Sequence, residues 1–162
     1  MKDLPQSSQN AFERHLKHFP SGSDLELQVL KGHLLIENIL RELVDTGLRN
    51  AEAINGARLT FHQVACLARG LTEHAETEPW NWTVVGKLNS VRNELAHQLE
   101  QSQLTAKVIE LISFAKSANP SIEDDRKTLG LPDGNDFELV VMSLSTYLTA
   151  LLSFARKEIP DE

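Results

Sequence analysis

Apolar residues return every three or four positions along almost the whole of this chain, and that spacing limits what it can fold into more than any other feature. Nowhere do β-branched and aromatic residues alternate as a half-buried strand requires. The expectation is an all-α fold: an up-and-down helical bundle of about five helices, three of them long. The helix punctuation agrees. A short first helix fits Gln9 to Phe19, with Phe12, Leu16 and Phe19 on one face and Pro20 as its stop. Ser23-Asp24-Leu25-Glu26 reads as a capping box opening a helix that runs to about Asp45, with Gly47 as its C-cap. A second box, Thr60-Phe61-His62-Gln63, opens a helix ending near Gly70. After a loop from Glu76 to Asn81, a fourth helix runs from about Trp82 to Gln101 and a fifth from Thr105 to Ala118. Ser121 to Gly134 is polar, with room for a helical turn or two and a Pro132-Asp133-Gly134 turn. Asn135-Asp136-Phe137-Glu138 then caps a last helix reaching about Glu158.

At 162 residues the chain has the size of one domain, with its core between about 23 and 158 and the short first helix within 1–22. A lone Cys66 allows no internal disulfide and is expected to serve as a small core residue. The N-terminus lacks the apolar stretch of a secretory signal. The most apolar run, Val140 to Phe154, is interrupted by Ser143, Ser145, Thr146 and Thr149, so no membrane span is expected and a cytoplasmic location is. A net charge of -7 argues against a histone-like grip on nucleic acid, which needs many cations at phosphates. It leaves room for a local positive site.

Two helices carry polar residues where the core should be. On the second, Leu25, Val29, Gly32, Ile36, Ile39 and Leu43 form one apolar stripe and Leu27, Leu30, Leu34, Leu40 and Val44 another. A helix apolar on most sides is central, yet His33, Glu37 and Arg41 share one of its faces. Either Glu37 pairs with Arg41 at a solvated edge, or its carboxylate meets a partner from another helix. On the fourth, Val84, Val85, Leu88, Val91, Leu95 and Leu99 face the core, and Arg92, Asn93 and His97 crowd one arc. At ~100° per residue, Asn93 and His97 lie ~40° apart.

The stretch Leu88-Asn89-Ser90-Val91-Arg92-Asn93-Glu94-Leu95-Ala96-His97 resembles the HEPN superfamily of small helical-bundle domains, whose mark is an arginine, a polar neighbour and a histidine a few residues on. The upstream Leu34-Leu35-Ile36-Glu37 also resembles that family's apolar helix with an embedded acid. The likeness spans about Ser23 to Phe154 in architecture and this short stretch in motif. It implies a homodimer and a metal-independent ribonuclease of toxin or phage-defence type, with no cofactor. In that reading Arg92 holds the scissile phosphate, Asn93 orients it, and His97 moves the proton, leaving a 2′,3′-cyclic phosphate. His33 and Glu37 support the site. Histidine suits acid–base work near neutrality, and the arginine fork matches phosphate oxygens. The rival is a non-catalytic regulatory or interaction module on the same fold, similar to the mannitol-operon repressors, with a protein partner or antitoxin instead of RNA. A purely structural reading also stands: Arg92 pairs with Glu37 or Glu94 in a buried polar network.

Elsewhere the signals are weak. His62 and Cys66 have i, i+4 spacing for zinc, but no second pair completes a site. His15 and His18 are expected on a solvated face. Trp80 and Trp82 are expected to cover the end of the bundle.

Overall fold

A computed structural model of the chain describes residues 6–97, 101–129 and 135–157. It is an all-helical bundle, with seven α-helices among the described residues where about five were expected. They are α1 (Gln6–His18), α2 (Leu25–Gly47), α3 (Phe61–Leu71), α4 (Trp80–His97), α5 (Gln101–Ala118), α6 (Ile122–Leu129) and α7 (Asp136–Lys157), with a 3-10 turn at Ala51–Ile54. Four helices are long, not three, because α5 starts at Gln101 and not at Thr105. The expected Pro132-Asp133-Gly134 turn, and the ends of the fourth and last helices near Gln101 and Glu158, touch residues outside the described ones.

Local chemistry accounts for most boundaries. The Thr60 box forms as expected: Gln63 N–H donates to Thr60 Oγ1, and Thr60 N–H donates to Gln63 Oε1 at 2.9 Å. Asn135 caps α7, its Oδ1 accepting from Glu138 N–H at 3.0 Å. The Ser23 box does not form. Asp24 is the N-cap of α2, its carboxylate accepting from Leu27 N–H at 2.8 Å, which moves Glu26 out of the reciprocal position. Gly47 is no cap either. It is the last helical residue, and Leu48 follows in extended backbone. Glycine is needed there for a different reason: a Cβ would lie 2.8 Å from Leu71 Cβ, where α2 meets α3. α4 begins two residues early because Pro79 lacks an N–H and holds a helical φ, so it leads into the helix and does not extend the loop.

α2 and α7 form the centre. They pack on each other, α7 also holds α1, and α2 also holds α3 and α4. Ile36, Ile39, Leu40 and Leu43 of α2 meet Leu139, Leu144 and Leu148 of α7 in one buried cluster. Asp136–Arg156 has the length and composition of a membrane-crossing helix, its scattered Ser and Thr notwithstanding, but 67% of it is buried in the bundle, as befits a core helix. Three of the five residues of α2's second stripe are left outside: Leu40 and Val44 are buried, whereas Leu27, Leu30 and Leu34 are exposed.

On α1 the buried face is turned by one residue from expectation. Ala11, His15 and Phe19 are inside and Leu16 is 60% exposed. His15, expected in solvent, is fully buried. Its Nε2 donates to Glu138 Oε1 at 3.1 Å, and its ring stacks on Phe19 at 4.6 Å. Ser21 Oγ donates to the same Oε1 at 2.5 Å, and Asn135 Nδ2 to Oε2 at 2.7 Å. Three donors thus satisfy a carboxyl that burial would otherwise penalise, and together they fasten α1 to the start of α7.

Candidate functional site at the junction of α2 and α4

Val84, Val85, Leu88 and Val91 turn one side of α4 into the core. That rotation sends Arg92 and Asn93 outward, and both are exposed. Asn89, one turn before them, is half-buried at the seam with α2, where His33 Nε2 donates to its Oδ1 at 3.3 Å. His33 is buried, leans on the Phe61 ring at 4.2 Å, and stands with Nδ1 3.9 Å from Glu37. Burial holds its pKa below the ordinary histidine value. The Asn89 hydrogen bond and the Glu37 charge oppose that, and the nearby Arg92 charge adds to it. The imidazole at this seam is therefore kept neutral, with the Arg92 charge close enough to be felt.

The partners of Glu37 and Glu94 decide between the readings of Arg92. Glu37 is held by Arg41, which donates from Nη2 at 2.6 Å and from Nε at 3.1 Å and also reaches Leu59 O. Glu94 lies 3.4 Å from Lys107. Both carboxylates that could have tied Arg92 into a structural network are engaged by other cations. Among the described residues Arg92 makes no ion pair and no hydrogen bond. The buried network expected around Arg92 therefore does not form among the described residues; Glu37 instead pairs with Arg41 at a partly solvated edge, the first of the two alternatives the sequence left open.

The structure thus brings Glu37 to His33 and His33 within reach of the Arg92 charge, with Asn93 next to Arg92 on the exposed surface. His97 lies one turn beyond Asn93 on the α4 backbone; its side chain lies outside the described residues. Asn89 had no role in the sequence reading, although its i−3 spacing from Arg92 places it on the same side of the helix. Chemically, the arrangement offers an uncompensated guanidinium, an exposed amide and a neutral imidazole clamped from behind. Such a set suits an oxyanion such as phosphate. His33 itself is too enclosed, and its Nε2 too committed, to shuttle protons with solvent.

Cys66 is exposed and not in the core. Phe61, Val64, Ala65 and Ala68 make the buried face of α3, and Cys66 falls off that stripe. It stands 3.6 Å from His62 Nε2, and among the described residues no group of three metal-ligating side chains occurs. Trp82 is buried and donates from Nε1 to Ala75 O at 2.7 Å, closing the bundle end as expected. No family model, curated protein or solved structure matches the chain.

Proposed function

We propose that this chain is a HEPN-like, metal-independent endoribonuclease of toxin or phage-defence type, acting through Arg92, Asn93 and His97. The observation that carries the reading is the exposed Arg92 guanidinium, left without a carboxylate although Glu37 and Glu94 lie on the same two helices. In the reaction, Arg92 and Asn93 hold the scissile phosphate. The ribose 2′-oxygen attacks phosphorus while its proton passes to a general base. The bond from phosphorus to the 5′-oxygen breaks, and that oxygen takes up a proton. His97 serves one of these two transfers. The products are a 2′,3′-cyclic phosphate and a 5′-hydroxyl. His33 and Asn89 act behind the site as positioning residues.

Two copies are expected to act together. Leu27, Leu30 and Leu34 give α2 an exposed apolar row, 38–48% accessible, beside His33 on the same helix. A second copy seated there would set two Arg92 sites side by side. The same row supports the second reading, a non-catalytic regulatory module whose row receives a protein partner.

Purified protein incubated with mixed cellular RNA in EDTA, beside Arg92→Ala and His97→Ala, tests the proposal. Cleavage by the parent chain alone, leaving cyclic-phosphate ends, is the expected result. Intact RNA with all three proteins folded and dimeric would transfer the assignment to the regulatory module.

A further inference from the structure

A cavity of about 760 Å³ lies away from Arg92, between the start of α4, α6 and α7. Its volume is that of a metabolite site. Arg92 is eleven residues further along α4 than Asn81, or ~16 Å at 1.5 Å per residue, so the two places are distinct.

The chemistry of the lining is one-sided. Glu78 and Asp125 contribute carboxylates, and no lysine or arginine lines the cavity. Trp80, Tyr147 and Phe154 contribute aromatic rings. The Asn81 side chain, 0% exposed, forms part of the wall. Its Nδ2 donates to Glu78 O at 3.3 Å and to Glu78 Oε2 at 3.1 Å. Its Oδ1 has no hydrogen-bond partner. A buried amide oxygen is rarely left without a donor, and this one stands beside two acids and three rings. The Asp125 carboxyl is pushed above the usual range, by burial first and then by the Asp124 and Glu78 charges. His74 and Asn119 also line the cavity, but neither a lysine nor an arginine sets a fixed positive charge against the two carboxylates.

We infer that this cavity binds a small organic cation, an alkyl ammonium or guanidinium compound, between Glu78, which the buried Asn81 holds in place, and Asp125, with its charge over the aromatic rings. Aromatic faces attract such cations. Two carboxylates with three rings fit an organic cation better than a hard metal ion, which takes about six or more oxygen ligands.

Calorimetric titration of the full chain with agmatine, putrescine and spermidine tests the inference. 1,4-Butanediol serves as the neutral counterpart and calcium as the metal counterpart. Saturable binding of at least one amine, weakened about tenfold or more by Glu78→Gln and again by Asp125→Asn, is expected. Glu78 is exposed, so Glu78→Gln keeps the test decisive should Asp125→Asn fold poorly. Absence of saturable amine binding up to about 10 mM, a free-energy gain below roughly 3 kcal/mol, would overturn the inference. So would equal binding of butanediol or calcium, or amine binding indifferent to Glu78→Gln.

Discussion

The tie between His15 and Glu138 joins residues 123 positions apart, and its energetics can be isolated by a double-mutant cycle. Glu138→Leu removes the acceptor of three donors. Ser21 is exposed and Asn135 half-buried, so both can turn to water. His15 cannot: it is 0% exposed, and its Nδ1 is already without a partner. Stranding Nε2 as well costs about 1–3 kcal/mol, the usual penalty for a buried unsatisfied group. His15→Leu leaves the Glu138 carboxyl with two donors in place of three and costs about 1–2 kcal/mol, partly offset by removing the bare Nδ1. With both residues changed to leucine, no polar group is stranded at the former contact, and such paired replacements are often near neutral. The double variant should therefore recover about 2 kcal/mol relative to the sum of the singles. Urea unfolding, followed by tryptophan fluorescence and far-ultraviolet dichroism, reads this as midpoint shifts of about 1 M for each single variant, given slopes of ~1–3 kcal/mol per molar. Single-variant effects that simply add, to within about 0.5 kcal/mol, would refute the reasoning. The two groups would then be buried near each other without depending on each other.

Burial depresses the pKa of His15 and of His33, so the unfolded chain takes up protons near 6.5 that the folded chain resists. Stability from both groups is therefore complete above the unfolded value and is lost as pH falls below it, at up to about 1.4 kcal/mol per pH unit per histidine. Urea midpoints measured between pH 8 and 5 should be flat at first and then drop, and His15→Leu should remove part of the drop; a midpoint that rises on acidification would contradict the sign. Gly47→Ala gains at most about 1 kcal/mol of helix propensity but drives a Cβ to 2.8 Å from Leu71 Cβ, for which about 1–3 kcal/mol is lost. Gly86→Ala, in α4 with no atom within 4 Å of the added Cβ, should instead stabilise by up to about 1 kcal/mol, and thermal melts of the two variants should move in opposite directions.

What could be read from sequence was what is decided locally. The Thr60 and Asn135 caps depend on residues three positions apart, and the apolar stripes of α2 declare its central place. The Ser23 box failed because Asp24 beside it caps as well, and pattern alone does not rank two adjacent candidates. His15 and Leu16 exchanged their expected places because the deciding partner, Glu138, lies on α7. With that partner absent, leucine is the better core residue; with it present, the histidine and Phe19 go in together. Cys66 is a different kind of miss. Phe61, Val64, Ala65 and Ala68 mark the inward stripe of α3, and that geometry overrides the general preference of cysteine for burial. The cavity bounded by Glu78, Asn81 and Asp125 had no sequence signal, since it arises where the start of α4, α6 and α7 leave space between them.

The charge balance gives Arg92 its weight. With 23 acidic residues against 16 basic ones, a carboxylate without a partner is unremarkable in this chain, but a cation near acids should find one. Arg14, Arg41, Arg69 and Arg126 each lie within about 3 Å of a carboxylate oxygen, whereas Arg49 and Arg58 are exposed and, like Arg92, show no ion pair among the described residues. The two acids the sequence offered to Arg92, Glu37 on α2 and Glu94 on α4, are each taken by a different cation. Its charge is also felt by His33, where it opposes protonation of an imidazole already disfavoured by burial. A guanidinium so placed stabilises nothing within the described fold and mildly destabilises the charged form of its neighbour. In the proposed reading an external anion docks on Arg92 and supplies the missing countercharge at that point.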